Sequence, residues 1–325
     1  MATAADTFAR KEKKYLITTG QCEAIKAGIA AHMRLDDYGA TRIDSLYLDT
    51  PERSLICRSL EKPLYKEKLR IRSYGPFSEA GTVFVEIKKK FDGIVYKRRV
   101  RMSAEGARRY AEGMSYEEAQ TDYPISGSTP ECELAPGKVQ IAREIDAFFK
   151  RYETLKPSML ISCLREAWCP LAGHENDTVD RITFDEDICY IDLMDESSTM
   201  RRPVTAPDQI VMEIKCAGGY PTWLCELLSS MGAYPRSFSK YGNAYKRVLA
   251  DQGTVQVRKS PSGKLSIRRI PTAAGHSTGA GETLLGPSRG YGVEDWERCT
   301  SKGQTRRQPM RPKRQHAAAF QATSL

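Results

Sequence analysis

The sequence predicts an α+β protein whose antiparallel strands each carry one apolar and one charged face. Three observations point there. The run from Val83 to Met102, VFVEIKKKFDGIVYKRRVRM, alternates with period two on both sides of an Asp92-Gly93 turn and reads as a hairpin. Val83, Val85 and Ile87 share one face, Glu86, Lys88 and Lys90 share the other, and Lys97, Arg99 and Arg101 share a parity on the returning strand. The same division recurs in YKEKLRIRSYG and QIVMEIKCAG, and segments with apolar residues at helical spacing lie between such runs.

Taken in order, residues 1–7 read as a loose end and FARKEKKYLI as a strand with Phe8, Arg10, Glu12 and Lys14 on one face. TTGQCEAIKAGIAAHM follows as a helix, with Thr18 and Gln21 in capping-box spacing. TRIDSLYLDT is a strand and PERSLICRSLEKP a short helix. In YKEKLRIRSYG, Lys66, Lys68, Arg70 and Arg72 fall opposite Leu69 and Ile71. After the hairpin, SAEGARRYAEGMSYEEAQ reads as one surface helix and TDYPISGSTPECELAPGK as a loop. VQIAREIDAFFKRYETL is a helix, with Ile141, Ile145, Phe148 and Phe149 on its apolar stripe. KPSMLISCLREAWCP is a strand carrying Arg165, and DRITFDEDICYIDL another, with Arg181, Thr183 and Asp185 on one face. In QIVMEIKCAG, Val211, Glu213 and Lys215 lie opposite Ile210, Met212 and Ile214. YPTWLCELLSSMG is a helix bounded by Pro221 and Gly232, and SFSKYGNAYKRVLA closes the folded part.

Charge is unevenly placed. The 325 residues hold 50 Lys+Arg and 41 Asp+Glu, but almost all of the +9 excess lies beyond Asp251. A strongly positive site in the folded part therefore has to come from arrangement rather than from excess. Two regions follow: a folded domain over residues 8–250, and a basic tail over 251–325 whose Gly, Pro, Ser and Arg content reads as disordered. Nine scattered cysteines with no Cys-x-x-Cys, and no signal peptide, point to reduced thiols and a cytoplasmic protein. No apolar run of about 18 residues is present to span a membrane.

Two arrangements explain the charged strand faces. In one, the charges are solvated on an open sheet. In the other, a closed antiparallel barrel holds them inside while amphipathic helices cover its apolar exterior. Like charges opposite one another destabilise a sheet, so a basic ladder calls for an anionic partner. Arginine forks and lysine point charges suit phosphate oxygens, and glutamates among them suit Mg²⁺ or Mn²⁺. The sequence lacks a P-loop and a kinase-type glycine loop, and its four histidines lie away from these strands. A nucleophile that is already a phosphate oxygen needs no histidine base.

RKEKKY, LRIRSYG, VFVEIKKK…YKRRV, LREAW, RITFDED, MEIK and SFSKYGNAY occur in the order found in the VTC (vacuolar transporter chaperone) catalytic domain, which the chain resembles over about Phe8 to Leu249. That domain belongs to the triphosphate tunnel metalloenzymes. The resemblance implies a closed, eight-stranded antiparallel tunnel with a charged interior and helices outside. It also implies an ATP-dependent polyphosphate polymerase requiring Mn²⁺ or Mg²⁺, with ATP and inorganic polyphosphate as its partners. By position it assigns Arg70, Arg72, Lys88, Lys97, Arg99, Arg165, Arg181 and Lys240 to catalysis and Arg10 and Lys14 to cofactor binding, to which Lys68 and Lys215 are added as neighbours on the charged strand faces. Glu213 matches the metal-binding carboxylate, with Glu86 and Glu12 as helpers or as ion-pair partners of the lysines.

The wider superfamily often begins Glu-x-Glu-x-Lys. Here RKEKK puts Arg10 at the first glutamate, which favours the VTC branch. Eukaryotic members commonly carry an SPX sensor domain and membrane helices. Neither is found in these residues, so a soluble stand-alone enzyme is expected, with room for a membrane-bound partner. A triphosphatase of the same fold and a non-catalytic polyphosphate-binding subunit are the alternatives. Nucleic acid is expected to bind only weakly, through the tail.

Overall fold

The computed structural model describes residues 11–75, 78, 81–92, 94–173, 179–195, 200–251, 255–259 and 265–269, all within one compact unit spanning residues 1–280. In chain order the elements are β1 (Lys11–Thr18), α1 (Thr19–Ile29), β2 (Met33–Leu35), β3 (Thr41–Asp49), α2 (Ser54–Leu60), β4 (Tyr65–Tyr74), β5 (Thr82–Phe91) and β6 (Ile94–Ser103). Then come α3 (Ala104–Ala111), α4 (Tyr116–Asp122), α5 (Pro130–Glu133), α6 (Pro136–Arg151), β7 (Lys156–Pro170) and β8 (Val179–Asp192). They are followed by β9 (Arg202–Pro203), β10 (Gln209–Cys216), α7 (Thr222–Ser230), α8 (Lys240–Asp251), β11 (Val255–Lys259) and β12 (Leu265–Arg269).

An eight-strand path runs β1-β10-β8-β7-β3-β4-β5-β6, with β2 added on β7 and β9 on β8. Every ladder is antiparallel. Among the described residues no ladder joins β6 to β1, so the sheet is a curled half-barrel. Its curl brings Glu12 and Lys14 of β1 close enough to Lys88 of β5 for their charges to act on that lysine.

The convex face follows from the apolar alternation. Tyr15, Ile17, Ile182, Phe184, Ile210, Met212 and Ile214 form one buried cluster with Ile25 and Ile29 of α1 and Leu224 and Leu228 of α7. Fully burying such a side chain stabilises by roughly 1.5–3 kcal/mol, so this layer is a large term in the fold. The expected capping box starts α1: Thr18 Oγ1 accepts from the Gln21 N–H and the Gln21 side chain accepts from the Thr18 N–H. Gly28 lets α7 come close, since a Cβ there would lie 2.6 Å from Leu227.

The helical exterior differs from the sequence reading in three places. The single helix expected over residues 103–120 is two, because Gly113 turns at φ 107 and Ser115 caps a new helix in a box with Glu118. The loop before α6 contains the one-turn α5, which begins at Pro130. Not every helix lies outside. Ile56 of α2 and Tyr241, Tyr245 and Val248 of α8 pack on Tyr47, Met159, Ile161 and Val211, with Leu16 against the cluster. Leu16 and Val211 share the parity of Lys14 and Glu213, so α8 covers one end of the concave face. Within the expected tail, β11 and β12 pair antiparallel; residues 252–254, 260–264 and 270–325 lie outside the described residues.

Candidate functional site

Strand register gathers the nominated side chains onto the concave face. On β4, β5 and β6 the cross-strand rows are Arg70–Glu86–Arg99 and Lys68–Lys88–Lys97, with Lys66 opposite Lys90 and Arg72 opposite Phe84. On the other flank Glu12 faces Lys215 and Arg181 follows, while Lys14 faces Glu213 and Thr183 follows. Arg165 faces Asp185 on β7 and β8. Lys240, the first residue of α8, reaches the same face. Arg10 lies outside the described residues.

The carboxylates divide into two kinds. Glu86 is 1% exposed and enclosed by cations: Arg70 donates to Oε2 at 2.8 Å, and Lys97 and Arg99 stand 2.7 and 3.8 Å from Oε1. Burial would raise its carboxyl, but Arg70, Arg72 and Lys97 hold it down at about 2. Asp185 is held the same way, by a two-pronged Arg165 at 2.6 and 2.8 Å and by Lys240 at 2.7 Å. Burial opposes its ionisation too, and Lys240 and Arg165 outweigh it, keeping Asp185 well below the usual range. These buried carboxylates fix the planes of two arginines.

Glu213 is different. Among the described residues its ion-pair partners are lysines, Lys215 at 3.0 Å and Lys14 at 3.6 Å, and Lys14 also pairs with Glu12 at 3.0 Å. Burial raises Glu213, and Lys14, Lys215 and Arg165 bring it down to about 2. Glu12 is pushed up by burial and by the charge of Glu213, and Lys14 and Lys88 bring it below its ordinary value. Glu12 and Glu213 feel each other's charge and offer oxygen donors of the kind a hard divalent cation takes, although among the described residues no cluster of three or more His, Cys, Asp or Glu side chains is placed to hold one.

A third group consists of cations facing cations. Among the described residues no carboxylate lies within ion-pair distance of Lys66, Lys68, Arg72, Lys88 or Lys90. Lys68 bonds to the Ser239 hydroxyl at 3.3 Å and Arg72 to the Ser45 hydroxyl at 3.0 Å. Burial, together with Lys66, Lys88 and Lys14, brings Lys68 down to about 8 in spite of Tyr47. Lys88 is also lowered, by burial and by the charges of Lys14 and Arg70. Lys66 is lowered by burial and by Lys90 and Lys62. Opposed like charges destabilise a strand pair, so this row holds unrelieved repulsion.

Tyr47, Asp185 and Ser45 were not nominated from sequence. Asp185 shows the parity of Arg181 and Thr183, which was legible, but its clamp depends on a register shift near Ser162 and Leu164. Tyr47 sits on a strand that reads as apolar. It stacks on Tyr241 with centroids 4.4 Å apart and accepts from Arg70 at 3.2 Å. Burial would raise its phenol, yet Arg70, Arg72 and Lys68 bring it down to about 7.

These features define a class: an antiparallel half-barrel whose inner face is lined with cations. The VTC domain model matches residues 9–249, and the chain belongs to that family. Membership supports a polyphosphate-related role. No curated protein matches the chain closely enough to count as a relative. Among 24 matching chains of solved structures is the 2.25 Å X-ray structure of a Vibrio parahaemolyticus protein provisionally assigned as an adenylate cyclase. It is 12% identical with a TM-score of 0.35, over 74% of this chain and 97% of that one. Among the described residues no helix is long and apolar enough to cross a membrane, and the eight described cysteines are free thiols.

Proposed function

We propose that the half-barrel works as a closed tunnel and that the protein is a metal-dependent polyphosphate polymerase. It would transfer the γ-phosphate of ATP to a growing inorganic polyphosphate chain. The observation that carries this is the row Lys66–Lys90 and Lys68–Lys88–Lys97, cation against cation across β4, β5 and β6. A repeating anion with one charge or more per phosphate satisfies such a row along its length.

The chemistry asks for positioning and charge. A terminal oxygen of the chain attacks the γ-phosphorus, the bond to the β-bridging oxygen breaks, and ADP leaves with the electron pair. The attacking oxygen is already anionic, so no side chain has to take a proton. Arg70 and Arg165, their planes set by Glu86 and Asp185, present donors to equatorial oxygens where charge is spread in the transition state. Lys68, Lys88 and Arg72 take up the phosphates, and Lys97, Arg99, Arg181 and Lys240 extend the cationic lining. Glu213 and Glu12 would hold Mn²⁺ or Mg²⁺, which would supply positive charge to offset that of the phosphates. Glu86, enclosed by Arg70, Lys97 and Arg99, serves as a positioning residue.

The test uses the full chain with ATP and Mn²⁺, with and without a short polyphosphate primer, and a gel stained for polyphosphate. A ladder that lengthens with time and disappears in folded Arg72→Ala is the expected result. Orthophosphate without a ladder would make the protein a triphosphatase. Polyphosphate binding with neither product would make it a binding subunit.

A further inference from the structure

Thr183 stands on the concave face between Ala167 of β7 and Glu213 of β10, directly opposite each. It is 2% exposed, and its Oγ1 is buried with no hydrogen-bond partner among the described residues. The Ala167 methyl offers it nothing, and both Glu213 oxygens are engaged by Lys14 and Lys215. An unsatisfied buried hydroxyl costs about 1–3 kcal/mol. Valine has the same branched shape, suits a strand equally well and would avoid that cost. The hydroxyl is therefore an oxygen waiting for a partner that the described residues do not supply.

We infer that the Thr183 hydroxyl is a ligand of the divalent cation held at Glu213, an inference that rests on the cation-dependent reading above. Directly opposed residues on antiparallel strands have Cβ atoms about 4.5–5.5 Å apart. That separation suits two oxygens on one ion, each bound at about 2 Å. The hydroxyl adds an oxygen without adding charge, beside a Glu213 already crowded by the positive charges of Lys14, Lys215 and Arg165. With a triphosphate bound, Lys14 and Lys215 would pair with its oxygens, leaving Glu213 and Thr183 to hold the ion.

The test is Mn²⁺ binding, followed by electron paramagnetic resonance on the full chain with tripolyphosphate present. Glu213→Gln should abolish protein-bound Mn²⁺. Thr183→Val, nearly isosteric, should weaken Mn²⁺ binding about tenfold or more, and Thr183→Ser should restore it. Tripolyphosphate affinity without metal should be unchanged in Thr183→Val. Wild-type Mn²⁺ affinity in Thr183→Val overturns the assignment while leaving Glu213 standing. A loss of metal-free tripolyphosphate binding in that variant also overturns it, because the hydroxyl's partner would then be phosphate. Absence of protein-bound Mn²⁺ in the wild type removes both this ligand and the cation-dependent reading.

Discussion

Two sets of cations on the concave face are treated in opposite ways. On β7, β8, β10 and α8, Arg165, Lys240 and Lys215 each sit within 3.0 Å of a carboxylate. On β4 and β5, Lys66, Lys68, Lys88 and Lys90 face one another instead. The first set is organised before any ligand arrives. The second holds electrostatic repulsion that only an anion relieves, so removing a charge should have opposite consequences in the two sets.

The largest effect is expected in the paired set. Asp185→Asn leaves Arg165 and Lys240 buried without their counter-ion and should cost about 3–5 kcal/mol of unfolding free energy in a urea titration. A loss under about 1 kcal/mol would mean that the clamp is slack. The next effect belongs to the unpaired set: tripolyphosphate at about 100 times its dissociation constant should stabilise the full chain by about 2.7 kcal/mol, read as a raised thermal midpoint. Lys88→Met should move the ligand-free protein the other way from Asp185→Asn, gaining up to about 1 kcal/mol as the opposed charges are relieved.

Titration sharpens the same contrast. The folded values of Tyr47 and Lys68, about 7 and about 8, lie below their ordinary values of 10.0 and 10.5. Between about pH 7 and 10 the unfolded chain therefore holds more protons at these groups than the folded one does. Their contribution to stability rises with pH through that window and is lost as pH falls through 8 and then 7. Absorbance at the phenolate wavelength should show a transition near neutral pH that Tyr47→Phe removes. Smallest and outside both sets, Thr18→Ala should cost about 1 kcal/mol through the lost helix cap.

Much of this was legible because a strand's period of two puts Lys68, Arg70, Glu86 and Lys88 on one face whatever their partners are. The capping box at Thr18 and Gln21 is equally local, and it is present. Register is not local. Nothing in the spacing says that Lys66 meets Lys90 or that Arg165 meets Asp185, so the distinction between paired and unpaired cations was out of reach. Tyr47 was hidden for a related reason: Leu46, Tyr47 and Leu48 read as one apolar run, and only the neighbouring β4 shows which side is charged. The position of α8 over the end of the face depends on Tyr241 stacking on Tyr47, a contact between residues far apart in the chain.

The central claim is that the unpaired row receives the polyanion, and calorimetric titration of the full chain with tripolyphosphate tests it most directly. The account predicts saturable binding, weakened about tenfold or more by Lys88→Met or Arg72→Met while the fold is retained. Binding that these variants leave unchanged, and that truncation after Ala250 removes, would place the anion on the tail and contradict it.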